Sequence, residues 1–271
     1  MESPVAVEET AASWWGRFQL ALGEWGHWAV GPLDLWLRRL PSEWTLVDLP
    51  GSGAEDRPAA VSVPAPSGPG VPEEQRLRYV VGKTAETVVL TPYLADRSVV
   101  ARPDSPLFIL AGAEVCLYVS SPLWVRLETG EERRLLREMP VSRPSDTWFG
   151  PTTREGELAY AARTQARLDP DGLPPTPHWA ITRVRLRNET RTPMPMERLN
   201  LPVPNLTLYE GGDGRLWTEN VTLTLGPDSD SAAVVMEKAK PAEARRAKPL
   251  HEPRSRPERN RLVRALSSLI G

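Results

Sequence analysis

The sequence predicts an all-β protein: an antiparallel β-sandwich-like domain with a short C-terminal amphipathic helix. Three observations carry that prediction. The chain of 271 residues holds 29 prolines, and each removes a backbone donor and fixes φ, which excludes long helices over most of its length. From Arg76 onward, short runs of Val, Leu, Thr and Trp recur at intervals of roughly 8–12 residues between turn residues, the spacing of sandwiches and barrels. Val221, Leu223 and Leu225 alternate with Thr222 and Thr224, the period-two pattern of a strand with one buried and one solvated face.

Taken in order, residues 1–12 are acidic and poor in large apolar side chains and read as a disordered N-terminus. Residues 13–48 hold six of the ten tryptophans, namely Trp14, Trp15, Trp25, Trp28, Trp36 and Trp44. Phe18, Leu20 and Leu22 alternate with Arg17, Gln19 and Ala21, and Gly23-Glu24-Trp25-Gly26 turns the chain, so this Trp-rich segment is expected to add strands to the main domain. Trp is highly buried on average, so core packing is the expected role of the cluster, with sugar stacking as the alternative. The run Leu33–Leu40 fits two patterns: Leu33, Leu35 and Leu37 suit a strand, whereas Leu33, Trp36, Leu37 and Leu40 suit a helical face. Glycine and proline bound it closely, which favours the strand.

Residues 49–75 are rich in Pro, Gly, Ser and Ala and predict a flexible loop. Residues 76–226 form the expected main domain. Its clearest hairpin is Leu206–Glu210, Gly211–Gly214 and Arg215–Thr218, where glycines supply the positive φ such a turn demands. Residues 227–257 read as a charged linker and 258–271 as the amphipathic helix. There Leu262, Val263, Leu266, Leu269 and Ile270 share one face, with Arg259, Arg261 and Arg264 around the rest. A helix this short is marginal alone. It is therefore expected to dock on its own domain, a second copy, a partner groove or an anionic membrane surface, which makes those five residues the candidate contacts for a protein partner or self-association.

Composition limits the function classes. The formal net charge is -2, so no global field selects nucleic acid. No window approaches the ~18 apolar residues of a bilayer span, so integral membrane association is not expected. Cys116 is the single cysteine, which leaves no internal disulfide. The N-terminus lacks the basic and apolar regions of a signal peptide, and a cytoplasmic location is expected. His27, His178 and His251 are widely separated, with no CxxC or HExxH, so no metal and no cofactor is predicted. Gly82-Lys83-Thr84 lacks the earlier glycine of a phosphate loop, since Leu77 stands there. No Gly-X-Ser-X-Gly elbow occurs, and no catalytic residue is assigned.

The segment Ser142–Glu157 holds the candidate ligand-binding residues Asp146, Trp148, Thr153, Arg154 and Glu155. An arginine beside carboxylates and an aromatic ring can grip an anionic or sugar-like ligand. The structural alternative pairs Arg154 with Asp146 and uses Trp148 to plug the end of the sandwich.

Arg102-Pro103-Asp104-Ser105-Pro106-Leu107-Phe108-Ile109, Ser121-Pro122-Leu123-Trp124 and the run from Arg143 to Leu158 resemble an uncharacterised family of bacterial and archaeal proteins catalogued only as a domain of unknown function. The resemblance covers roughly residues 14–226. It implies a prokaryotic intracellular protein and carries no activity, cofactor or catalytic residue. The functional expectation is a non-catalytic binding or assembly module. The alternative is an enzyme or small-ligand binder taking a carbohydrate or phosphorylated metabolite at the Asp146–Glu155 loop.

Overall fold

A computed structural model describes residues 13–50, 57–103, 107–142, 144–150, 152–163, 167–170, 173, 176–212, 214–226, 232–236, 239–245, 247–255 and 266–267. Strands take more than half of the described residues, and no helix of seven or more residues occurs among them, so the protein is all-β. The expected disorder of residues 1–12 lies outside the described residues.

The strands divide between two compact units, one built from Met1–Thr91 and Val125–Val141 and the other from Pro92–Trp124 and Ser142–Gly271. The first unit holds β1 (Gly16–Gln19), β2 (Trp25–Val30), β3 (Leu33–Arg39), β4 (Glu43–Pro50), β5 (Ala60–Ala65), β6 (Leu77–Val80), most of β7 (Thr87–Tyr93) and β11 (Trp124–Thr129), and β12 (Arg134–Pro140). They form a five-stranded sheet in the order β5-β2-β3-β4-β6 and a four-stranded sheet in the order β1-β7-β11-β12.

The run Leu33–Arg39 is a strand. Its residues alternate between buried and half-buried positions throughout, the period-two signal that outweighs the helical reading. Leu33, Leu35 and Leu37 enter a core with Trp14, Trp28, Trp44, Leu46, Val88, Leu90, Val125, Leu127 and Met139. Three of the clustered tryptophans are thus core, as expected from their apolar bulk. A Cβ on Gly26 would lie 2.6 Å from the Trp28 ring, so glycine makes room for that indole. Residues 49–75, expected as a loop, contribute β5. Val61 and Val63 pack against the core, and Pro64 is accommodated because β5 lies at the sheet edge. Thr84, from the rejected phosphate-loop match, is buried, and its hydroxyl donates to Leu40 O at 2.7 Å.

The second unit holds β8 (Val99–Arg102), β9 (Leu107–Ile109), β10 (Glu114–Pro122), β13 (Ser145–Phe149), β14 (Glu157–Arg163), β15 (Trp179–Asn188), β16 (Met194–Met196), β17 (Arg198–Leu201), β18 (Leu208–Glu210), β19 (Leu216–Thr218), β20 (Val221–Leu225), β21 (Ala232–Met236), β22 (Pro249–His251) and β23 (Leu266–Ser267). The long strand β15 pairs with β10 from Trp179 to Arg187 on one edge. Its other edge is shared, with β19 near one end and β20 near the other, both parallel. With β21, β18 and β22 this makes a seven-stranded sheet. A second sheet runs β13-β14-β8-β17-β23, in which β14 and β8 are parallel, and β9 pairs β16 separately. The glycine-rich hairpin forms between β18 and β19, with Gly214 at φ 75°.

Two expectations for the C-terminal third are corrected. Within the supposed linker 227–257, β21 adds to β20 through the apolar run Ala232–Met236, and β22 adds to β18. His251 fixes β22, because its Nε2 accepts from Leu94 N–H at 3.0 Å while its ring stacks on Tyr93 at 4.1 Å. Of the expected C-terminal amphipathic helix, the described residues Leu266–Ser267 form no helix. Leu266–Ser267 instead pair with Arg198–Leu199 as β23, where the open edge of β17 satisfies backbone groups that a lone short helix leaves to water. The other positions of the supposed apolar face lie outside the described residues.

Candidate functional site

The segment Ser142–Glu157 proves to be half of a hairpin. β13 pairs with β14 in antiparallel register, setting Asp146 opposite Tyr160 and Trp148 opposite Leu158. Successive residues face opposite sides of a strand. Phe149 and Ala159 therefore turn inward onto Val100 of β8. Trp148 and Leu158 point outward and remain 40% and 47% exposed, an apolar pair on the solvent face.

The turn joining the strands is closed by two glycines. A Cβ on Gly150 would lie 2.1 Å from Glu155 O, and one on Gly156 would lie 2.5 Å from Phe149 O, so no larger residue fits that backbone contact. The Trp148 indole N–H donates to Thr152 O at 2.7 Å, and the Thr152 hydroxyl accepts from Glu155 N–H at 3.0 Å and from Arg154 N–H at 3.3 Å.

Asp146 does not meet Arg154. Its Oδ1 accepts from Arg97 Nη1 at 3.1 Å. The Arg97 guanidinium lies 5.2 Å from the Tyr160 ring centroid, and Tyr160 OH donates to Asp96 Oδ1 at 2.9 Å. Burial, and then the Asp96 hydrogen bond, raise the Tyr160 pKa above its ordinary value. The Trp124 ring packs 5.3 Å from Tyr160 on the same side. Of the five predicted residues, Asp146 and Trp148 thus stand on β13, and Thr153, Arg154 and Glu155 sit exposed in the turn. Asp96, Arg97, Leu158 and Tyr160 were missed. Leu158 and Tyr160 were readable from the alternation in Glu157–Arg163, whereas Arg97 lies 49 residues from Asp146 and left no local signal.

The partner residues proposed for the tail fare differently. Leu266 is in β23, opposite Leu199, while Leu262, Val263, Leu269 and Ile270 lie outside the described residues. On its free side β13 has no further strand among the described residues, so this sheet ends in β13 at one edge and β23 at the other.

A second polar centre lies on the first unit. His27 Nε2 is 2.9 Å from Asp34 Oδ1, and Arg57 donates to Asp34 and to the carbonyls of Gly31 and Leu33. The His27 ring stacks on Trp36 at 3.8 Å. Burial pushes the Asp34 pKa up, but the hydrogen bonds from Arg57 and His27 outweigh it and hold the carboxyl below its ordinary value. With Arg57 spanning the β2–β3 turn, the arrangement is a brace for that hairpin. Among the described residues, no group of three or more His, Cys, Asp or Glu is placed to hold a metal ion. No helix among them is long and apolar enough to cross a membrane.

These features define an all-β protein with an exposed aromatic hairpin at one sheet edge and its own C-terminal strand at the other. The sequence profile of a protein family of unknown function (DUF432) matches residues 14–270, and the chain belongs to that family. No curated protein and no solved structure matches the chain.

Proposed function

We propose that the protein is a non-catalytic β-sandwich binding or assembly module that takes up an extended chain segment by strand addition at the sheet containing β13, β14, β8 and β17. One observation carries this reading. Leu266–Ser267, far along the chain from β17, pair with Arg198–Leu199 as an added antiparallel strand. Strand addition draws its affinity from backbone hydrogen bonds and its selectivity from alternate side chains. The partner in this reading is a second copy of the chain, whose C-terminal segment replaces the resident one on β17. The cytoplasm is the compartment that goes with it, consistent with the one unpaired cysteine, Cys116.

The test uses a chain ending at Ser255 and a fluorescent peptide of residues 256–271. Saturable binding is expected, lost when the peptide is N-methylated at Leu266 and Ser267, because methylation removes ladder donors without touching the protein. No binding, or equal binding by the methylated peptide, defeats the reading.

The exposed Trp148 ring favours a second reading, a small-ligand binder for a carbohydrate or phosphorylated metabolite. Its N–H is already engaged by Thr152 O, which holds the indole ready to stack. Shifts of the Trp148 indole signal on sugar titration, unaccompanied by peptide binding, would favour it.

A further inference from the structure

Ser121 and His178 are both fully buried, and among the described residues neither the serine hydroxyl nor either imidazole nitrogen has a hydrogen-bond partner. Their placement links them. Ser121 stands opposite Ala180 in the β10–β15 ladder, and Leu123 N–H donates to His178 O at 3.0 Å, which carries the register one step beyond Pro122 opposite Trp179. Ser121, Leu123, His178 and Ala180 are all at 0% exposure, whereas Trp179 between the last two is half-buried. The alternation puts Ser121 and His178 on the same inward face as diagonal neighbours, roughly 7–8 Å apart at the backbone. No hydrogen bond joins the two side chains, and a molecule placed between them would meet both.

Burial drives the His178 pKa down to about 4, so at neutral pH the ring is uncharged, with one N–H donor and one acceptor nitrogen. A serine hydroxyl offers one donor and two acceptor sites. Unmet, each of these buried groups would incur its full desolvation cost. A neighbouring pair shows the satisfied alternative, since the buried hydroxyls of Thr182 and Thr218 lie 2.8 Å apart and bond to each other.

We propose that Ser121 and His178 form an internal binding site for an ordered water molecule, which bridges the hydroxyl and one ring nitrogen inside the second unit. An uncharged donor–acceptor pair suits a neutral ligand with two donors and two acceptors. Water is the smallest ligand of that kind and the usual partner of buried polar groups that the chain itself leaves unmet. This site is independent of the strand-addition reading.

A crystal structure of the full chain tests it. The expected result is one ordered water within about 3.2 Å of both Ser121 Oγ and a His178 nitrogen. A direct Ser121–His178 bond, a chain group on either side chain, or a dry site overturns the proposal. Thermal unfolding of Ser121→Ala, His178→Phe and the double variant supplies a second measurement. Each single variant should lower Tm, and the double variant should lose less than the two losses together, because both remove the same bridge. Strict additivity also overturns it. If the variants fail to fold, the crystallographic result alone decides.

Discussion

His178 couples the interior of the second unit to pH. The unfolded ring takes up a proton near 6.5, whereas the folded ring resists until about 4. Acid therefore favours the unfolded chain across that window. The neutral ring's contribution is complete above pH 6.5 and is lost as pH falls towards 4, for a total of about 3 kcal/mol. Urea unfolding at a series of pH values should show this slope in the native chain, and His178→Phe should remove that part of it. Two tryptophans make a contrast at the same scale. Trp28 is fully buried in the first core, and Trp28→Ala should destabilise by about 3–5 kcal/mol. Trp148 is 40% exposed and holds its turn through one hydrogen bond, so Trp148→Ala should cost only about 1 kcal/mol in denaturant unfolding.

At the scale of elements, the ladder around β15 should outlast the sheet edges. β15 is paired on both sides along most of its length, whereas β23 rests on two residue pairs. Amide hydrogen exchange should rank Val184 and Leu186 among the slowest amides and Leu266 and Ser267 among the fastest; equal protection of β23 would mean that the tail is held by more than its ladder. The same distinction decides what the sequence reveals. The β18–β19 hairpin was readable because Gly211–Gly214 supplies the turn within a few residues of both strands. The parallel pairs β14–β8 and β15–β19 were not, because parallel neighbours need long crossovers and no local residue records them. Charge counting over 227–257 hid the short apolar run of β21, and apolar residues at helical spacing near the C-terminus pointed to a helix where Leu266–Ser267 join an open sheet edge. At the candidate site, Trp148 and Asp146 were legible as residue types, but the partner of Asp146 depended on β13 and β8 joining the same sheet.

The whole molecule is built from interleaved chain segments. The first unit needs Val125–Val141 as well as the residues up to Thr91. A fragment of residues 13–91 would lack β11 and β12 and with them Val125, Leu127, Met139 and Val141 from its core. Such a fragment is expected to show no cooperative thermal transition by circular dichroism, while the full chain unfolds cooperatively. A well-folded fragment would show that the four-stranded sheet is dispensable to this unit.

The pairing of Gly16–Gln19 with Thr87–Leu90 sets an order in time. A ribosome adds about 5–20 residues each second, so β1 leaves the peptidyl centre roughly 4–14 s before the strand it must join. Through that interval the backbone of Gly16–Gln19 lacks the strand it pairs with. Until then those donors and acceptors stand open to any other strand nearby, and slower translation lengthens that opening.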